Sequence, residues 1–150
     1  MRQPHRVLSA PAFLGTFVLA VCCLRSDVGT AEGAVALGLP GDVAKLGYAL
    51  GIAVNAHTEA AAKAAAMRLC QNDESASRQG KAVCKVMQTF HRQCAAEAND
   101  PKAGTPGWGW AIAPDLATAE KNAIANCVAT AGSDRRDACK VLRSACDTGP

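Results

Sequence analysis

"AVCKVMQTFHRQCAAEA" runs from Ala82 to Ala98, and its Cys-Lys-Val triplet returns at Cys139, Lys140 and Val141 within "ACKVLRSAC". Side chains of an extended strand alternate between faces. Each triplet therefore sets a cysteine and a valine on one face and a lysine on the other. A phrase used twice suggests a unit used twice. Laying Cys70 over Cys127 extends the correspondence backwards, because "HTEAAAKAAAMRLC" then lies over "PDLATAEKNAIANC" without a gap. Thr58 falls on Asp115, and either side-chain oxygen can accept an orphan N–H at a helix start. Positions 62, 66, 67 and 70, with 119, 123, 124 and 127, keep helical spacing and make one buried stripe ending in cysteine. The spacing predicts a helix of about 13 residues in each segment. Alanine in the stripe lets the helix axis come close to a sheet, while Lys63, Arg68, Glu120 and Lys121 fall on the open side.

The remaining segments fit around these helices. "GAVALG" (Gly33 to Gly38) and "GYALGIAVNA" (Gly47 to Ala56) read as strands joined by "LPGDVAKL", where Pro40, Gly41 and Asp42 supply turn chemistry. Polar turns, "QNDESASRQG" and "TAGSDRRD", lead into the strands "KAVCKVMQTF" and "ACKVLRSAC". "CAAEA" (Cys94 to Ala98) is a further short strand, and "NDPKAGTPG" (Asn99 to Gly107) is a loop dividing the halves, about 33–98 and 107–146. "WGWAIA" (Trp108 to Ala113) opens the second half. Repeated strand-helix-strand units predict an α+β domain, two pseudo-repeated units with two helices packed on a mainly antiparallel sheet.

The N-terminus has the three parts of an export signal: basic Arg2, His5 and Arg6, an apolar run from Val7 to Leu24, and small residues up to Ala31. The reading is a signal peptide over 1–31, cleaved after Ala31, and a single domain over 32–150. The membrane is met only through this segment if it stays uncleaved, which Pro11 and Gly15 disfavour. Removing it takes three of the 16 Lys and Arg and one of the 13 Asp and Glu, leaving 13 and 12. A net charge of about +1 offers no basic surface to track a phosphate backbone, which excludes nucleic acid as the main partner.

Hydrophobic residues make up 49% of the chain but aromatics only 4%, so the core is thin, since large side chains dominate burial. Covalent help is expected. Of the 8 cysteines, Cys22 and Cys23 leave with the signal, and Cys70, Cys84, Cys94, Cys127, Cys139 and Cys146 remain. An even set in a small exported domain reads as a disulfide framework. No Cys-x-x-Cys pair exists, and His57 and His91 sit outside any ligand spacing, so no metal is expected. Six cysteines leave many connectivities open. The repeat suggests Cys70–Cys84 and Cys127–Cys139 as local staples, with Cys94–Cys146 joining the halves.

"GAVALG", the Ala-x-Asn before the first helix, "CKVMQTFHRQCAA", "GWGWAIAP" and the cysteine-bearing helices together resemble the exported bacterial family called domain of unknown function 4189. The resemblance spans roughly Gly33 to Cys146. His57 departs from it, standing where the family often shows an aromatic-proline turn. The resemblance implies a secreted or periplasmic disulfide-bonded domain, and it carries no catalytic residues.

Trp108 and Trp110, two apart on a strand, share a face. Exposed, they could stack on a sugar or grip a protein; buried, they would plug a core of alanine and valine. Lys85 and Lys140, with Lys81, Arg92, Arg135, Arg136 and Arg143, form a basic set on the Cys-Lys-Val strands and their turns. Lys85 and Lys140 are expected on an exposed sheet face, where they would serve either as solvated charge or as contacts to acidic polymers. His57 reads as a turn residue and His91 as a strand-face residue. No phosphate-binding glycine loop, Gly-x-Ser-x-Gly elbow or cofactor motif occurs. The expectation is a periplasmic or secreted non-catalytic module binding a protein or an envelope glycan. A hydrolase or inhibitor-like factor directed at the cell wall is the alternative.

Overall fold

The computed structural model describes residues 32–149. The signal segment 1–31, its cleavage after Ala31, and Cys22 and Cys23 lie outside the described residues. In chain order the elements are β1 (Glu32–Gly38), α1 (Val43–Leu46), β2 (Ala49–Ala56), α2 (Glu59–Gln71), α3 (Arg78–Ala82), β3 (Lys85–Phe90), β4 (Cys94–Asn99), β5 (Trp108–Ala113), α4 (Leu116–Thr130), a 3-10 turn at Arg136–Ala138, and β6 (Lys140–Cys146).

β1 and β4 explain the architecture. Both are buried along nearly their whole length, and neither alternates apolar with polar, so each needs cover on both faces. Neighbouring strands cover the edges: two antiparallel three-stranded sheets form, ordered β2-β1-β3 and β5-β4-β6, with β1 and β4 central. A helix covers one face of each sheet. Ala34, Ala36, Ala49 and Ala53 pack on Ala62, Ala66 and Cys70 of α2, while Cys94, Ala96, Ala98 and Ala113 pack on Ala119, Ala123 and Cys127 of α4. The other faces meet each other through Val35, Leu37, Leu50, Phe90 and Ala95, flanked by Ile52, Trp108, Trp110 and Ile112. The fold is thus α+β with four layers, helix-sheet-sheet-helix.

Several expectations change with this arrangement. A single sheet becomes two, because period-two patterning leaves each sheet a second apolar face that only another apolar face can cover. The "CAAEA" strand, assigned to the first half, is β4 and pairs with β5 and β6. The halves therefore meet in the turn 91–93, not in the loop after Asn99, and His91 lies in that turn, not on a strand face. Lys81 and Ala82 belong to α3, whose start is capped by Ser77 Oγ accepting from Gly80 N at 3.0 Å. The "LPGDVAKL" turn contains α1, capped by Asp42.

The two long helices start where expected. Thr58 Oγ1 accepts from Ala61 N at 3.1 Å and Asp115 Oδ1 from Thr118 N at 2.9 Å. Two glycines set how close each helix sits. A Cβ on Gly51 would lie 2.2 Å from Ala66 O, and one on Gly109 would lie 2.4 Å from Cys127 N. Both contacts are to helix backbone, so glycine permits the approach that the alanine stripe invites.

The disulfides are Cys70–Cys84, Cys127–Cys139 and Cys94–Cys146. The first two tie the end of each long helix to the residue preceding the third strand of its sheet. Each closes a separation of 14 or 12 residues and contributes about 3 kcal/mol in the chain-entropy account. The third does not join the halves: Cys94 and Cys146 sit opposite each other on β4 and β6 of one sheet. Every disulfide lies within a single half. Three disulfides point to an oxidising compartment rather than the reducing cytosol. Among the described residues no helix is long and apolar enough to cross a membrane.

Candidate functional site

The layer between the sheets is apolar except at one place. Glu97 on β4 is wholly buried there. Its register partner on β6 is Arg143, whose Nε lies 2.6 Å from Glu97 Oε2. This contact is a salt bridge. Tyr48, just before β2, donates its hydroxyl to Glu97 Oε1 at 2.6 Å. Arg143 reaches across to the other sheet, donating from Nη1 to Leu50 O and from Nη2 to Asp73 Oδ2, each at 3.1 Å. Asp73, just beyond α2, also accepts from Leu50 N at 3.2 Å.

These contacts set the protonation states. Burial pushes the Glu97 carboxyl up, and the Tyr48 hydroxyl and the Arg143 cation only partly offset it. Burial also raises Tyr48 far above the ordinary phenol, reinforced by the Glu97 charge, so its hydroxyl stays a donor. Burial works against Asp73 as well, but the Ser75 hydroxyl, the Leu50 N–H and Arg143 outweigh it and hold this carboxyl low.

A cleft of about 570 Å³ opens beside Tyr48, between α1, the Ser75–Ser77 turn and the loop after β4. A neighbouring hollow of about 310 Å³ shares Tyr48, Ser75 and Asn99 and adds Leu142. The loop is held by Asp100, which accepts from Arg135 Nε at 2.8 Å and Nη2 at 2.7 Å and from Lys102 N at 3.0 Å. Hydrogen bonds from Arg135 hold the Asp100 carboxyl well below the usual range. A further buried carboxylate, Asp147, accepts from Asn55 N at 3.0 Å and Arg92 N at 2.8 Å. Both donors have left-handed backbone, φ 57° and 50°, so Asp147 steadies the end of β2 and the 91–93 turn from just beyond β6.

Trp108 and Trp110 are half-buried on β5 and pack against the inter-sheet cluster. The Trp108 and Tyr48 rings lie 5.4 Å apart between centroids. Two shallow hollows flank Trp110. One, about 390 Å³, is lined by Gln88, Trp110, Asn122 and Asn126 among others. The other, about 290 Å³, takes Trp108, Trp110, Asn126 and Thr130. Asn126 donates Nδ2 to Trp110 O at 2.8 Å. Lys85 and Lys140 are exposed, as expected, but they are the first residues of β3 and β6 in different sheets and line none of these hollows. The sheet faces are covered by helices or by the other sheet, so the two lysines sit at the rim of the sandwich and not on an open face. Within the basic set, Arg135 and Arg143 are the two drawn into buried carboxylates.

Sequence reasoning did not single out Glu97, Asp73, Gln88, Asn122 or Asn126. The one signal was a carboxylate inside an alanine strand, "CAAEAN", at a position alternating with buried alanines. Among the described residues no group of three His, Cys, Asp or Glu is placed to hold a metal ion.

No curated protein and no solved structure matches this chain. The family model described as Domain of unknown function (DUF4189) matches residues 33–146, which carry both sheets, both long helices and all three disulfides, and the chain belongs to that family.

Proposed function

We propose that the protein is a non-catalytic binding module of the periplasm or the extracellular space, with an envelope glycan or a protein as its partner. One observation carries this reading. Tyr48, Glu97, Asp73 and Arg143 bond to one another across the sheets. They hold the sandwich in register, and the two hollows beside Trp110 are lined by neutral, aromatic and small side chains. A rigid scaffold with shallow hollows suits recognition, since little ordering cost is incurred on binding. The export signal read over 1–31 and the three disulfides support the compartment.

A wall-directed hydrolase finds its one support in Glu97, a carboxyl pushed up by burial near the Tyr48 cleft. Glu97 does not line that cleft, and both its oxygens are engaged by Tyr48 and Arg143. Incubating the oxidised mature protein with peptidoglycan separates the readings. Co-sedimentation without release of soluble fragments is expected. Fragment release abolished by Glu97→Gln would replace the binding module with an enzyme.

A further inference from the structure

Resting on that reading, we infer that the groove along the seam of β5 and α4 is a binding site for a neutral oligosaccharide. The two hollows flanking Trp110 share that residue and Asn126, so they form one trough. Trp108 and Thr130 stand at one end, with Gln88 and Asn122 at the other. Along α4 the span from Asn122 to Thr130 is about 12 Å at the helical rise, so the trough takes more than a single sugar.

The lining chemistry selects the ligand. Neither hollow contains an Asp, Glu, Lys, Arg or His, so nothing there recognises a phosphate, a carboxylate or an ammonium. It contains three primary amides, each carrying donors and an acceptor. Gln88 comes from the first sheet, Asn122 and Asn126 from α4, and all three are exposed. Hydroxyl-rich ligands need paired donors and acceptors of this neutral kind. An indole adds a flat apolar face with an N–H at its edge, matching the C–H face of a sugar ring. Apart from Ile112, the apolar aliphatic lining is small: Ala111, Ala125 and Ala129. A flat ring can therefore approach the backbone. Asn126 is already fixed by its bond to Trp110 O, which presets its remaining polar atoms before any ligand arrives.

Both tryptophans of the chain line this trough, so intrinsic fluorescence reports occupancy directly. The oxidised mature protein is titrated with chitotetraose, maltotetraose and cellotetraose, and with oligogalacturonate as an anionic control. The expected result is a saturable change with a neutral oligosaccharide, indifferent to salt, with no response to oligogalacturonate. Asn122→Ala and Gln88→Ala replace exposed side chains and leave the core intact; each is expected to weaken binding about tenfold, the loss of one or two hydrogen bonds. Trp110→Ala is expected to abolish it, with circular dichroism checking the fold. No saturation with any neutral tetramer, preference for the anionic one, or unchanged affinity in both amide variants overturns the site. Envelope co-sedimentation of the same variants separates the two levels. If the native protein sediments and the amide variants sediment equally, the trough is wrong and the module reading stands. If sugars bind as described but nothing in the envelope is retained, the trough stands and the envelope role fails.

Discussion

The two sheets share more than strand order, and one pair sets them apart by charge. Aligning Gly51 with Gly109 brings Ala36 onto Ala98 as their register partners, and then Val35 onto Glu97. In both sheets the central strand slips at this point against the third strand. Met87 and Leu142 are left unpaired there, and both are exposed. In both, a residue at the helix end accepts the N–H of the edge strand: Asp73 takes Leu50 N and Thr130 takes Trp108 N. The pair beside the bulge turns from neutral to ionic, Val35 with Gln88 in the first sheet and Glu97 with Arg143 in the second. The helix-end disulfide and the glycine contact recur in both units, while the strand-to-strand bridge Cys94–Cys146 and the charged pair occur only in the second, and the charged pair reaches over to grip the first.

The sharpest contrast lies in that pair. Arg143→Met strands Glu97 and Asp73 as buried carboxylates with no cation, and is expected to cost about 3 kcal/mol, at the low end for breaking a buried pair because Arg143 keeps some solvent contact. Gln88→Met at the matching position is expected to be neutral within about 0.5 kcal/mol. Urea unfolding of both variants gives the comparison, and equal costs would mean that the inter-sheet ion pair does nothing distinctive.

The disulfides should show the opposite, sameness. Replacing Cys70 and Cys84 together by serine, or Cys127 and Cys139 together, opens loops of nearly equal length. Each loss is expected near 3 kcal/mol. A large difference between the two would show that one unit depends on its staple and the other does not.

Gly51→Ala and Gly109→Ala come next, at roughly 2 kcal/mol each, since the added carbon meets helix backbone that cannot rotate away. Thermal midpoints should fall by similar amounts.

The smallest effect is the response to acid, and the carboxyl groups divide on its sign. Asp73 and Asp100 are held low, so their stabilisation is fully present above the ordinary carboxylate range near pH 4 and is lost as pH falls through their depressed values. Glu97 is raised, so its contribution is fully present below the ordinary carboxylate range and is lost as pH rises through its raised value. Melting curves taken from neutral to acid pH should show a decline that Asp100→Asn flattens and Glu97→Gln steepens.

The helices were legible because capping and a stripe are local signals. Thr58, Asp115 and the alanine-to-cysteine spacing each state a helix within a few residues, and the repeated phrase then suggested the two local disulfides. The stacking of two sheets was not legible, because "CAAEA" shows no alternation and nothing nearby says which neighbours a doubly buried strand will take. The charged cluster was hidden for a related reason. The pairs Tyr48–Glu97, Glu97–Arg143 and Asp73–Arg143 are separated by 46 to 70 residues of chain. Arg143 accordingly read as one more solvated cation until Glu97 stood opposite it.

Because each sulfur bridge closes within its own sheet and helix, the covalent graph of this molecule is two separate knots on one thread. A protease nick at residues 91–93 would leave two pieces with no covalent bond between them, held by the apolar layer between the sheets and by Arg143, Tyr48, Asp147 and Thr148 reaching across. Intact chains could likewise trade lobes with one another without breaking a single disulfide.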